Sequence, residues 1–353
     1  MFQRILVPLD GTRLAERAIP VAAKIARASG ATIVFAHIVL PPVEFGTYTT
    51  THTIPLKPGA FERRMDAAED YLTNIPDVYE EELAGIDMEL DLAAGAVSPE
   101  ITLTARFEEI DLIVMCSHKE IGLKRWIFGS VAQDAVRHSP VPVLILSEQG
   151  IFPPEPDAIH PFRVLVPLDG SALAEAALEP AIQLLTAWTA NTRAKGELHL
   201  FDVIALPPVY GHTKSQAYIS EHIVEETADE ARTYVQAVAD RLRAGVLAGT
   251  AFTVTSSVAV SANIADAIVK EAEFAGDAEG LTAGYDLIVM STHGRTGLRR
   301  LVMGSVAEYV LGTTKLPLMV VHPFAKETAS QVDGENEKKV EAVEVTQTWV
   351  GLF

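Results

Sequence analysis

Val7-Pro8-Leu9-Asp10-Gly11 returns unchanged as Val166-Pro167-Leu168-Asp169-Gly170, and this recurrence sets the reading of the whole chain. Three further words repeat around it in the same order. Leu40-Pro41-Pro42-Val43 returns as Leu206-Pro207-Pro208-Val209, Asp111-Leu112-Ile113-Val114-Met115 as Asp286-Leu287-Ile288-Val289-Met290, and Gly129-Ser130-Val131-Ala132 as Gly304-Ser305-Val306-Ala307. Chance explains one short apolar match but not four in register, so the chain is a tandem duplication. Its 353 residues are the length of two ordinary domains.

Within each half, short β-branched runs alternate with longer amphipathic stretches. In the first half 5–8, 32–38, 88–93, 111–115 and 143–146 read as strands, and 14–28, 61–84, 99–107 and 130–137 carry helical periodicity. In the second half 163–166, 197–203, 252–258, 286–290 and 318–321 read as strands. Five continuously apolar strands separated by helices imply a parallel sheet covered on both faces. Each half is therefore expected to be a doubly wound α/β domain, over 1–148 and 162–323. Between them, 149–161 is rich in proline (Pro153, Pro154, Pro156, Pro161) and reads as a semi-rigid linker. From 324 to 353 the chain turns polar and charged and reads as a solvated tail, with Trp349 and Phe353 near its end.

Composition narrows the function classes. Apolar residues make up 48% and charged residues 21%, the balance of a globular protein with real cores. With 28 Lys+Arg against 47 Asp+Glu, the net charge is −19, which argues against nucleic-acid and anionic-membrane partners. The single cysteine, Cys116, cannot form an intrachain disulfide and fits a reducing compartment. There is no signal-peptide core at the start and no run of about 18 apolar residues, so a cytoplasmic location is expected.

In a doubly wound sheet, ligands bind outside the carboxyl ends of the strands where the strand order reverses. Two second-half loops suit that place: Pro167-Leu168-Asp169-Gly170-Ser171 after strand one, and Ser291-Thr292-His293-Gly294-Arg295 after strand four, which leads to Gly304-Ser305 at a helix start. They meet only if strands one and four are neighbours. Gly294, without a Cβ, is free to take positive φ and to let backbone N–H groups approach an anion. Gly304 and Ser305 open a helix whose free N–H groups and dipole attract negative charge. Two readings stay open for Asp169: accepting from a ribose hydroxyl or adenine amine or helping to hold Mg²⁺, or simply capping the next helix.

These residues carry a resemblance. Ser291-Thr292-His293-Gly294, nine residues, then Gly304-Ser305 resembles the Gly-x₂-Gly-x₉-Gly-Ser/Thr pattern of ATP-binding members of the universal stress protein family, with Ser291 for the first glycine. Each half resembles that family over nearly its whole length, and His293-Gly294-Arg295-Thr296-Gly297-Leu298 is its most specific local word. The resemblance implies two Rossmann-like domains of the adenine nucleotide alpha-hydrolase-like kind. They would pack with pseudo-twofold symmetry through the last strands, 141–146 and 316–321, so that any homo-oligomer has to use another surface. It implies a site for ATP or another adenine nucleotide, with or without Mg²⁺, built from Pro167, Leu168, Asp169, Val203, Met290, Ser291, Thr292, Gly294, Arg295, Gly304, Ser305 and Val306. Asp169 and Val203 would contact the adenosine, and Gly294, Gly304, Ser305 and Val306 the phosphates.

The first half departs from the pattern. It reads Cys116-Ser117-His118-Lys119, nine residues, then Gly129-Ser130, with both leading glycines gone. A side chain at Lys119 obstructs the close backbone approach, although its ammonium can stand in as a phosphate partner. A weaker site from Pro8, Asp10, Ile38, Lys119, Gly129 and Ser130 is expected there. Gly95 is kept in the first half, where the second has Ala262.

The remaining candidates have plainer readings. His293 and His118 are expected to brace their loops through backbone hydrogen bonds rather than act as bases. Cys116 reads as an inert small hydrophobe. His52 and His212 lack convergent metal ligands, and no metal site or catalytic residue is assigned. The loops 41–58 and 207–220 are lids or variable surface. The expected role is a nucleotide-binding stress-response sensor or regulator. The rivals are slow ATP hydrolysis or self-phosphorylation at Ser305 or a nearby hydroxyl, and a protein-interaction module without nucleotide.

Overall fold

The computed structural model describes residues 1–41, 59–117, 129–147, 152, 161–190, 192, 195–206, 214–274, 284–294 and 303–323. The first half runs β1 (Arg4–Leu9), α1 (Arg13–Glu16), α2 (Ala18–Ser29), β2 (Thr32–Val39), α3 (Ala60–Val78), α4 (Glu80–Leu83), β3 (Met88–Ala94), α5 (Val97–Phe107), β4 (Leu112–Ser117), α6 (Ser130–His138) and β5 (Val143–Ser147). The second repeats it as β6 (Phe162–Leu168), α7 (Ala172–Glu175), α8 (Leu178–Thr189), β7 (Gly196–Ala205), α9 (Lys214–Ala244), β8 (Thr253–Ser261), α10 (Ile264–Phe274), β9 (Leu287–Ser291), α11 (Ser305–Thr313) and β10 (Leu318–Val321).

Among the described residues ten strands join one sheet in the order β3-β2-β1-β4-β5-β10-β9-β6-β7-β8. Within each half every pairing is parallel, and the order reverses between β1 and β4, and between β6 and β9. The halves meet through their last strands, where β10 runs antiparallel to β5 with Met319 opposite Leu144. The Ser147 hydroxyl donates to the Lys315 carbonyl (2.7 Å), and Arg137 pairs with Glu308 (3.2 Å), across the same seam.

Alternation along the strands sends side chains to two apolar layers. One, under α1–α3 and α7–α9, holds Ile5, Val7, Phe35, Val164, Val166 and Leu200; the other, under α5, α6, α10 and α11, holds Leu6, Val34, Ile113, Leu165 and Ile288. Both layers continue from one half into the other. At the junction Trp188 packs edge-on to Phe152 (4.3 Å between centroids), beside Phe162 and beneath the Lys24 ammonium.

Prolines correct two expected boundaries. The stretch 14–28 is two helices rather than one, because the Pro20 ring would meet the carbonyl four residues back and α1 therefore stops before α2 starts. Pro180 divides α7 from α8 in the same way. Pro76 weakens the last turn of α3, and 61–84 is broken at Tyr79. The matching α9, without proline, runs unbroken for 31 residues. It begins at Lys214, so 214–220 is helix rather than the loop expected for 207–220. The segments 42–58 and 207–213, most of the linker and the tail from 324 onward lie outside the described residues, as do His52 and His212.

Candidate functional site

The same small device follows the first strand of both halves. In the second, Asp169 Oδ1 accepts from the Ser171 amide (3.0 Å) and hydroxyl (2.6 Å), and Ser171 Oγ accepts from the Ala174 amide (3.1 Å) as the N-cap of α7. In the first, Asp10 Oδ1 accepts from the Thr12 amide (2.9 Å) and hydroxyl (2.6 Å), and Thr12 caps α1. One aspartate oxygen thus shapes the turn, and the cap belongs to the next residue but one. The other Asp169 oxygen, Oδ2, faces Gly294, where a built Cβ would collide with it.

That collision is the reason for glycine at 294. Its φ lies outside the left-handed region, so the expected positive φ is not what the position needs; it needs the absence of a Cβ. The loop holding it is tied at both ends. The Thr292 amide donates to the Val321 carbonyl (2.9 Å), and the Gly304 amide donates to the Thr292 carbonyl (2.8 Å). The His293 amide donates to Ser291 Oγ (3.3 Å), and the His293 ring meets the Thr292 hydroxyl through Nδ1 (2.9 Å). His322 lies edge-on to His293 at 5.5 Å, and burial followed by the neighbouring His293 lowers its pKa. Gly304 N-caps α11 without a side-chain hydrogen bond of its own. The first-turn amides of that nine-residue helix therefore point out toward the loop with their partial positive charge.

These pieces surround a cavity of about 410 Å³ at the reversal point, where the strand-one and strand-four loops meet. Pro167, Leu168, Asp169, Val203, Met290, Ser291, Thr292, Gly294, Gly304, Ser305 and Val306 all line it, and Arg295 lies outside the described residues. Sequence reasoning missed Asp202, Thr227, Ile264 and Ile268, which line it too. Asp202 had a signal: an aspartate inside an apolar strand, 4% exposed, opposite Leu168 in the β6–β7 register.

The first half is arranged differently. Its described cavity, about 280 Å³, is lined by Gly11, His37, Ile38, Val39, Arg64, Ala67, Ala68 and Tyr71. Of the residues expected there it gathers Ile38 alone. Pro8 and Asp10 stay with β1 and its turn, Gly129 and Ser130 start α6, and Lys119 and His118 lie outside the described residues. Gly95, between β3 and α5, packs against the first turn of α5, since a Cβ there would lie 2.6 Å from Glu100 Cγ. Cys116 is half-buried, and burial pushes its thiol up to about 12. No group of three or more metal-ligating side chains forms among the described residues, and no helix among them is long and apolar enough to cross a membrane.

Two doubly wound α/β domains, joined edge to edge in one sheet and carrying a helix N-terminus at the switch point, define the structural class. The model of the Universal stress protein family matches residues 1–147 and again 162–322, so the chain belongs to that family as a tandem member. A universal stress protein of Mycobacterium tuberculosis is 25% identical over 322 residues, spanning 90% of this chain and 95% of that one. The fold matches the crystal structure of a universal stress protein from Archaeoglobus fulgidus with a TM-score of 0.56 and 18% identity, over 91% of this chain and 98% of the other. A universal stress protein solved in complex with cAMP covers 41% of this chain and is itself covered to 97%, at 22% identity and a TM-score of 0.31.

Proposed function

We propose that the second half binds ATP or a related adenine nucleotide, and that the chain uses this binding as a sensor or regulator in the stress response, in the cytoplasm. The observation that carries the reading is the meeting of Asp169, Gly294 and the α11 N-terminus around one cavity. A purine fits the apolar wall of Val203, Ile264, Ile268 and Met290. A phosphate fits the amides that begin α11, with the Ser305 hydroxyl as a further donor. Asp169 stands between them as an acceptor for the sugar. Mg²⁺ would arrive with the phosphates rather than in a preformed cage.

The first half, whose described cavity draws on β2 and α3 and leaves out the α6 N-terminus, is assigned no comparable affinity. The test is to purify the full chain without added nucleotide, denature it, and quantify the released small molecules by mass spectrometry. About one adenine nucleotide per chain, lost in Gly294→Val, is the expected result. An empty protein that also takes up no added ATP in calorimetry removes the reading.

A further inference from the structure

We propose that Asp202 makes the second-half cavity selective for adenine nucleotides whose ribose 2′- and 3′-hydroxyls are both free. The proposal rests on the adenine-nucleotide reading above. The cavity straddles the carboxyl edge of the sheet and has two unlike arms. On the α10 side Phe201, Val203, Ile268 and Met290 belong to one apolar layer. On the other side Ile204 packs against Ala228 and Ala231 of α9. Asp202 lies two residues before Ile204, and strand alternation sends it to that same side, away from Val203.

Asp202 and Thr227 of α9 therefore make the second arm polar, and Asp169 lines the same cavity. The half-buried Tyr234, whose hydroxyl donates to Glu175 (3.0 Å), also feels the charges of Asp169 and Asp202, so the two carboxylates lie within electrostatic reach of one group. With a purine in the apolar arm and a phosphate at the start of α11, the sugar sits beside Asp169 and turns its hydroxyl edge toward Asp202. An ionised carboxylate only accepts hydrogen bonds, so it holds a free hydroxyl and repels a phosphate ester. The first half puts a different group at this place: Leu9 pairs with His37 where Leu168 pairs with Asp202, and His37 stands edge-on to Tyr71 at 5.5 Å.

Titration calorimetry on the full chain tests this with AMP, 3′,5′-cyclic AMP, 2′-deoxy-AMP and adenosine 2′,5′-bisphosphate. The wild type is expected to bind AMP at least about tenfold more tightly than the other three, and Asp202→Asn to narrow the cyclic and bisphosphate gaps to about threefold or less. Asp202→Ser gives the same comparison if the asparagine variant does not fold. Equal binding of AMP and the cyclic nucleotide by the wild type, or a gap unchanged in both variants, overturns the selectivity while leaving the site reading in place. Failure of every probe to bind overturns the site reading itself, and the selectivity with it.

Discussion

The Asp169 carboxylate occupies the space that a Cβ on Gly294 would need, so the strand-one and strand-four loops touch through a missing side chain. The contact is between a carboxylate held at Oδ1 by Ser171 and a loop anchored to Val321, and neither partner is loose. Gly294→Ala is therefore expected to displace Asp169 and weaken adenine-nucleotide binding by at least about tenfold, close to the effect of Asp169→Ala. The double variant should lose little beyond either single one. Losses that simply add in calorimetry would show that the two loops act independently.

The matching caps after β1 and β6 separate folding from binding. Ser171→Ala and Thr12→Ala each remove a side-chain acceptor from a helix start and are expected to cost about 1 kcal/mol in urea unfolding. Only Ser171→Ala also loosens an aspartate that lines the second-half switch-point cavity. It alone should weaken nucleotide binding. Equal weakening by Thr12→Ala would move the site, or a share of it, into the first half.

Most of this architecture is legible in the residues. The duplicated words fix two domains, and the demand that the Asp169 and Gly294 loops meet fixes β6 beside β9, which the sheet order shows. The edge pairing of β5 with β10 follows from the family resemblance rather than from any pattern in Leu144 or Met319. Helix breaks at Arg17 and Tyr79 were concealed because apolar periodicity runs straight through Pro20 and Pro76, whose effect is on backbone geometry and not on polarity. Asp202 was hidden for a different reason. A lone aspartate in an apolar strand carries no local meaning until the β6–β7 register sets it against Leu168 at the cavity edge.

Cys116, one residue before the end of β4, sits in surroundings that oppose ionisation. Desolvation pushes its thiol from its ordinary value of 9.0 up to about 12, with the Arg17 charge opposing and the Asp10 charge reinforcing the rise. Because the thiolate is the reacting species, alkylation by iodoacetamide near neutral pH is expected to be slower in the folded chain than in urea by roughly a thousandfold. A folded-state rate near that of the unfolded chain would make Cys116 an accessible thiol and reopen a redox role.

His199 should set the acid limb of stability. Its ring lies between Thr255 Oγ1 (2.7 Å) and Ser257 Oγ (2.8 Å) on the edge strand β8, packed near Tyr285. Burial first, and the Arg163 charge second, bring its pKa down from 6.5 to about 4. Between those values the unfolded chain binds a proton that the folded chain refuses, so stability falls as the pH drops from about 6.5 toward 4 and is unaffected by this group above that range. The full penalty is of order 3 kcal/mol. His199→Gln keeps a donor and an acceptor for the two hydroxyls but cannot take up the proton. Urea titrations across pH 4–7 should therefore show a shallower loss in the variant than in the parent chain, and parallel curves would mean that His199 is not the group responsible.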